Sequence, residues 1–409
     1  MVYGVFILKQ IIFHIDVNSA YLSWTAVEQL KNGAQEDIRD IPAIIGGSQE
    51  SRHGIVLAKS PLAKKAGIKT GEPVAHAIRK CPEIKIFPPN HKMYNEYSAR
   101  LMEFLMNYTP DIEQVSVDEC YMDFTGIAHK YHSPLVAAFE IKDAVYKQFG
   151  FTVNIGISVN HLLAKMASDF EKPNKVHTLF PEEIPVKMWP LPVSELYMAG
   201  RSSVEVLHKL EIRTIGELAK TDPDLLELHL KSHGRTLWEF ANGIDGSKVL
   251  RDHVENKGIG NSTTLPKDAT TEEEAKEVLL WLAETVGGRL RAEGQKAGMV
   301  SVEIKYHTFQ TVSHQTQLAR ATSADQVIYE TACVLFRELW SGEPVRLLGI
   351  RTSKLVEAKA PEQMNIFDLQ QDLEKKSVKN TKHQRLDKAL DEIRKKFGDD
   401  AIKRGTFLK

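Results

Sequence analysis

Two carboxylates stand side by side in Val115-Ser116-Val117-Asp118-Glu119-Cys120-Tyr121-Met122-Asp123-Phe124. Apolar and polar residues alternate here, which predicts two short strands with Asp118 and Glu119 at their junction. Neighbours along a strand point to opposite faces, but at a strand end or bulge both can converge on one point. Two anions placed together need a cation, and hard divalent ions such as Mg²⁺ take oxygen ligands, often carboxylates together with substrate phosphates. A turn that merely happens to be acidic is the plain alternative. A third carboxylate and a phosphate site elsewhere in the chain would decide between them.

Candidates for both exist. Ile11-Ile12-Phe13-His14-Ile15 reads as a buried strand that ends at Asp16. Asn18 and Ser19 are good N-cap types for a helix carrying Tyr21, Trp24, Val27 and Leu30 at helical spacing. Asp16 therefore falls at the C-terminal end of a strand and just before a helix, the crevice where α/β sheets bind ligands. In Ser60-Pro61-Leu62-Ala63-Lys64-Lys65-Ala66-Gly67, serine is placed to cap a helix, proline to open it and glycine to stop it. Lys59, Lys64, Lys65 and Lys69 gather around it. Such a run is a solvated helix face or a contact for a triphosphate.

The elements that must position these residues can be read in outline. Strands are expected over 41–47 and 54–59, helices over 94–108 and 135–149, and a strongly alternating strand over 151–159. A helix over 161–170 is stopped by Pro173, which lies between Lys172 and Lys175. The order β-(insert)-α-β-β-α-β-α, with acids on the first strand and the hairpin, describes a split-βαβ sheet with helices behind it. Pro190 and Pro192 mark a linker, and residues 194–243 carry only helical signals. Within them Ile212-Arg213-Thr214-Ile215-Gly216-Glu217-Leu218 resembles a helix-hairpin-helix, whose backbone amides can hold a DNA phosphate.

A polar linker is expected over 248–268, then a helix (271–293), strands (300–307 and 311–318), a helix (324–339) and a strand (345–355). That is a second α+β domain. From Glu357 the chain is polar, apart from the apolar island Gln363-Met364-Asn365-Ile366-Phe367 and a basic helical pattern over 386–397.

At 409 residues the chain has room for about two to four domains. With 53 Lys and Arg against 54 Asp and Glu, the net charge of −1 gives no whole-chain attraction for nucleic acid, so any basic surface is local. The 3 cysteines have no metal-type spacing, which fits a reducing compartment. No apolar run approaches the roughly 18 residues of a membrane span. The first residues lack the basic region and cleavage site of a signal peptide, so a cytoplasmic protein is expected.

Ser116-Val117-Asp118-Glu119-Cys120-Tyr121 and Leu163-Ala164-Lys165-Met166-Ala167-Ser168-Asp169-Phe170-Glu171-Lys172-Pro173-Asn174, with Asp16 well ahead of both, resemble signatures of the Y-family DNA polymerases. Within that family the chain is similar to the bacterial DNA polymerase IV branch, from about Ile11 to the C-terminus. The resemblance implies an α+β multidomain right-hand polymerase. Its parts would be a ferredoxin-like palm (11–18 and 86–175), small fingers (19–85), a helical thumb (176–246), a linker (247–268), an α/β little finger (269–358) and a C-terminal tail (359–409). It implies DNA-directed DNA synthesis of low fidelity past damaged bases, by transfer of a nucleotide from dNTP to the primer 3′-OH.

In the family's mechanism Asp16, Asp118 and Glu119 would hold two Mg²⁺ ions about 3.5–4 Å apart, with the carbonyl of Val17 completing a shell. Asp118 and Glu119 are thus the expected catalytic pair. Tyr21 falls where the family has a steric gate against a 2′-OH, and Lys172 where it has a triphosphate contact. The chain departs from the pattern in two places. Asn18 replaces a second acid that is not a metal ligand. Pro61 and Lys64 stand where members have Tyr and Arg; lysine keeps the charge but loses the bidentate fork, so Ser60 and Lys64 are expected to take part in nucleotide binding.

Gln363, Ile366 and Phe367 resemble a Gln-x-x-Leu-Phe clamp-binding peptide, which would add processivity through effective concentration. The expected partners are primer-template DNA, dNTPs and a sliding clamp, with no membrane, and the expected state is a monomer. A catalytically weak DNA- and clamp-binding accessory of the same family is the alternative that Pro61 and Lys64 raise.

Overall fold

Six consecutive buried residues form β1 (Ile12–Val17), the strand around which the first part of the chain is built. The computed structural model describes residues 10–47, 54–250, 256–359, 386–398 and 401–402, in two units that divide between residues 250 and 256. After β1 come α1 (Ala20–Lys31), β2 (Ala43–Gly46), β3 (Val56–Lys59), α2 (Pro61–Lys65), α3 (Val74–Lys80), β4 (Lys85–Phe87) and α4 (His91–Met106). Next are β5 (Ile112–Gln114), β6 (Glu119–Asp123), α5 (Pro134–Phe149), β7 (Val153–Ser158), α6 (His161–Asp169) and β8 (Val176–Thr178).

Strands β5-β6-β1-β7-β8 form one sheet, with β1 antiparallel to both β6 and β7. Its first four strands have the order of the expected split-βαβ sheet. The period-2 alternation of β1 assigns its residues to two faces. Phe13, Ile15 and Val17 join Cys120, Met122, Val153, Ile155 and Ile157 in a core with residues of α1, α4 and α5. Ile12, His14 and Asp16 face the other side, where Ile12 meets Tyr121 and Ala164 of α6, and His14 meets Ser168.

α6 lies directly against this second face. A Cβ added to Gly156 of β7 would sit 2.0 Å from the carbonyl oxygen of Ala164. Glycine is needed because two backbones approach there. A smaller sheet, β3-β2-β4, carries α2 and α3 on a core of its own that includes Ile44, Val56, Ala63 and Val74. Five helices follow: α7 (Ile184–Lys187), α8 (Arg201–Lys209), α9 (Ile215–Lys220), α10 (Pro223–Leu230) and α11 (Ser232–Ala241). The helix-hairpin-helix read from sequence is α8, a turn and α9, whose N-cap Thr214 forms a capping box with Glu217.

The second unit consists of β9 (Gly258–Ala269), α12 (Glu272–Ala292), β10 (Gln295–Tyr306), β11 (Thr311–Thr322), α13 (Asp325–Leu339) and β12 (Val345–Glu357), with a further helix over 386–397. Its sheet, β11-β10-β12-β9, is antiparallel throughout. Val300, Val302 and Ile304 turn into a core with α12 and α13. The alternate residues Ser301, Glu303 and Lys305 lie on the opposite, polar face.

Three expectations need correction. Val115–Val117 was expected to be a strand, but the pairing strand is β5, further upstream, and the intervening residues form the turn. Ser19 does not cap α1 with its side chain; it takes a left-handed φ of 48° that turns the chain out of β1. Residues 258–268 belong to β9 and not to a linker. That strand buries few side chains, among them Ile259, Leu265 and Ala269, too sparse an apolar set to register as alternation.

Candidate active site

β1 and β6 bring the acids together. Asp16 and Glu119 are direct partners in their antiparallel register, so both side chains project to the α6 side of the sheet. Asp118 precedes β6, in the turn, and its direction is not set by the alternation. Its carbonyl accepts the Val17 N–H at 2.9 Å, and its carboxylate accepts the Ser116 hydroxyl at 2.6 Å. Burial raises the Asp118 pKa; Ser116 opposes this, and the neighbouring Asp16 and Glu119 add to it. Asp118 lies near enough to Asp16 and Glu119 for their charges to act on it, but of the adjacent pair only Asp118 lines the cleft that opens toward α2.

α6 and the loop after it supply the countercharges. Lys165 donates to Glu119 Oε2 at 2.9 Å, and Lys172 is paired with Asp16. His14 Nε2 is 3.3 Å from the same Glu119 oxygen but is not aligned to hydrogen-bond it. His14 Nδ1 lies 2.8 Å from Ser168 Oγ, whose proton goes to the Lys165 carbonyl, so that ring nitrogen is the donor. Contacts with His14 and Lys165, against burial, hold the Glu119 carboxyl down to about 2. Burial lowers the His14 pKa, while the contact with Glu119 raises it.

Asn18 fixes the loop that carries Lys172. Its Oδ1 accepts the Asn174 N–H at 2.8 Å and the Thr152 hydroxyl at 2.9 Å, while its Nδ2 donates to Asn154 Oδ1 at 3.1 Å. Asn154 in turn donates to the carbonyls of Ser168 and Glu171 at 2.9 and 2.7 Å. An amide serves here because the position requires a donor and an acceptor at once.

A cleft of about 900 Å³ opens between the acids and α2. Asp16, Val17, Asn18, Tyr21, Asp118 and Lys172 line one side, and Lys59, Ser60, Pro61, Lys64, Lys65 and Thr70 the other. Burial, and after it the charge of Lys64, lowers the Lys59 pKa, against the charge of Glu72. Ser60 is fully buried; its hydroxyl oxygen accepts the N–H groups of Ala63 and Ala43, both at 3.1 Å. Tyr21 projects into the cleft from α1 and stacks on Tyr94 with centroids 4.3 Å apart and planes within 9°.

Among the described residues, no three His, Cys, Asp or Glu side chains are grouped as a ready ion cage. Glu119 is drawn back toward Lys165, and Asp16 toward Lys172. The donor types still fit a hard divalent ion: Asp16 and Asp118 line the cleft, Glu119 is the cross-strand partner of Asp16, and Asp16 and Glu119 each already hold a cation in the form of an ammonium group.

Asp16, Val17, Asp118, Tyr21, Ser60, Lys64 and Lys172 thus share one cleft, while Glu119, the cross-strand partner of Asp16, is not part of its lining. Gln363, Ile366 and Phe367 lie outside the described residues. Reading the residues missed His14, Ser168 and Asn154 as parts of the site. The alternation of β1 would have placed His14 beside Asp16.

The model of the impB/mucB/samB family matches residues 15–169, and that of the family's C-terminal domain residues 256–366. The DNA polymerase IV of Clostridium acetobutylicum is 47% identical over 98% of this chain and 99% of its own length. That of Acetivibrio thermocellus is 35% identical over 98% of each chain. A Y-family DNA polymerase chimera superposes with a TM-score of 0.73 over 85% of this chain and 99% of its own, at 22% identity, a likeness of fold. Near-complete coverage at these identities shows the family: this chain is a DNA polymerase IV-type member of the Y-family DNA polymerases, a DNA-directed DNA polymerase.

Proposed function

We propose that the chain carries out low-fidelity translesion synthesis by two-metal-ion nucleotidyl transfer from dNTP to a primer 3′-OH, in the cleft between the three acids and α2. The observation that carries this reading is the pairing of Asp16 with Glu119 across β1 and β6, with Asp118 beside them and a lysine-rich wall opposite. Asp16, Asp118, Glu119 and the Val17 carbonyl would hold Mg²⁺, which supplies a more acidic 3′-OH and charge neutralisation at the triphosphate.

The protein's own groups do the positioning, which is where most of the catalysis of phosphoryl transfer lies. Lys172 and Lys64 bind the triphosphate, with Lys59 and Lys65 adding positive potential. Ser60 holds the start of α2, where Pro61 and Lys64 replace a hydroxyl and a guanidinium; a point charge there gives attraction without a fixed fork. Tyr21 excludes a 2′-OH while its ring is held by Tyr94.

In this reading the five-stranded sheet is the palm, the three-stranded sheet with α2 and α3 the fingers, α7 to α11 the thumb, and the second unit the little finger that lies on the DNA backbone. The sliding clamp would be met through Gln363, Ile366 and Phe367. Primer extension with Mg²⁺ tests it. The wild type should extend a defined primer, while Asp118→Ala should lose at least about a thousandfold in rate yet keep its affinity for primer-template. Retained extension by Asp118→Ala would remove that residue from the mechanism. Absence of extension by the wild type would favour the accessory role.

A further inference from the structure

The two lysines that face the acids share an anchor. Asp169, the last residue of α6, sets one carboxylate oxygen against each of them: Oδ1 is 2.9 Å from Lys172 Nζ, and Oδ2 is 3.5 Å from Lys165 Nζ. The spacings are i,i+3 and i,i+4, at which side chains near a helix end meet. An alternating chain of charge results, Glu119–Lys165–Asp169–Lys172–Asp16. Asp169 is not part of the cleft lining, so whatever it does to a ligand it does through the lysines.

Its platform is rigid. α6 is capped by Asn160, whose side chain accepts the Leu163 N–H at 2.9 Å. Asn154 ties the Ser168 and Glu171 carbonyls, on either side of Asp169, to the sheet. We propose that Asp169 is a positioning residue for nucleotide binding, the carboxylate that keeps Lys165 and Lys172 at the site when Asp16 and Glu119 turn to other partners. The inference rests on the function proposed above, in which those two acids engage Mg²⁺ and Lys172 engages the triphosphate. An ammonium that loses its carboxylate partner swings into solvent unless a second one holds it, since a lysine side chain has several free rotors. Asp169 is that second partner for both.

The test uses the full chain on a primer-template whose primer ends in a dideoxynucleotide, so that dNTP binding is read without turnover. Asp169→Ala should raise the dNTP dissociation constant about fivefold, the size expected for two partly exposed ion pairs. KM on an extendable primer should rise in step, and kcat at saturating dNTP should stay within about twofold, as for lost binding without lost chemistry. Melting temperature and primer-template affinity should not change. Asp169→Glu should recover most of the loss, and Asp169→Asn, which keeps the shape, should share it. Unchanged dNTP affinity in Asp169→Ala and Asp169→Asn overturns the proposal. Tighter binding overturns it too, because it would mean that Asp169 only repels the triphosphate. A wild type that neither binds dNTP nor extends a primer would instead sink the function on which the proposal rests.

Discussion

Gly156→Ala is the sharpest perturbation the fold offers, because it moves the helix that bears Lys165 without altering any side chain that lines the cleft. The new Cβ would lie 2.0 Å from the Ala164 carbonyl oxygen, 2.4 Å from the Ser168 nitrogen and 3.0 Å from the Ala167 Cβ. Both nearest atoms are backbone, so no rotamer change relieves the clash. To reach ordinary contact at 3.4 Å from 2.0 Å, α6 must retreat by roughly 1.4 Å. Such a shift would lengthen the 2.8 Å contact between Ser168 Oγ and His14 Nδ1 beyond hydrogen-bond range. It would also draw Lys165 off Glu119.

Overpacking costs about 1–3 kcal/mol, and leaving the buried His14 donor unpaired adds about 1–3 kcal/mol. A loss of about 3 kcal/mol is expected, read as a lower urea midpoint for the first unit with its slope unchanged. Single-nucleotide extension by the folded fraction should fall by about a hundredfold, the effect of misplacing site groups by about 1 Å. A variant with wild-type midpoint and rate would show that α6 tolerates the displacement and that its seating on β7 does not set the site.

Tyr21→Ala should raise ribonucleotide over deoxyribonucleotide use, as a ratio of kcat/KM, by about a hundredfold, with about 1 kcal/mol of stability lost with the Tyr94 stack; Tyr21→Phe should change neither. Replacing Ile366 and Phe367 by Ala should leave synthesis without the clamp intact and abolish stimulation by it, and undiminished stimulation would place clamp binding elsewhere. In the second unit, burial, opposed by the Arg291 guanidinium 2.7 Å away and then aided by Asp387 and Glu284, pushes the Asp325 carboxyl pKa up. The folded state then keeps a proton that the unfolded chain releases, so this group makes stability fall as pH rises above the ordinary carboxylate range, from about 4 upward. Asp325→Asn should flatten that part of the pH–melting curve, and an unaltered curve would refute the assignment.

How far the sequence could be read follows from what each residue answers to. Asp16, Asp118 and Glu119 were legible because they sit at strand ends, where hydrophobic period and a polar stop coincide; the register of β1 with β6 then places Asp16 opposite Glu119. Ser60 was legible as a cap for the same local reason, and the structure keeps it in that office. β9 was not legible, since few of its residues face the core. Gly156 carries no signal of its own within the alternating strand, and its requirement comes from α6, which returns to the sheet only after the chain has turned. The couplings of His14 to Ser168 and of Asn18 to Asn174 have the same origin. Each joins residues whose pattern is satisfied locally without the partner, so no local signal marks it. Placement in this site was readable where one strand end suffices to position a carboxylate, and unreadable where the positioning is done from the facing helix. That asymmetry is physical: a carboxylate's location is fixed by its own strand, while its orientation is fixed by whichever cation the tertiary fold brings to it.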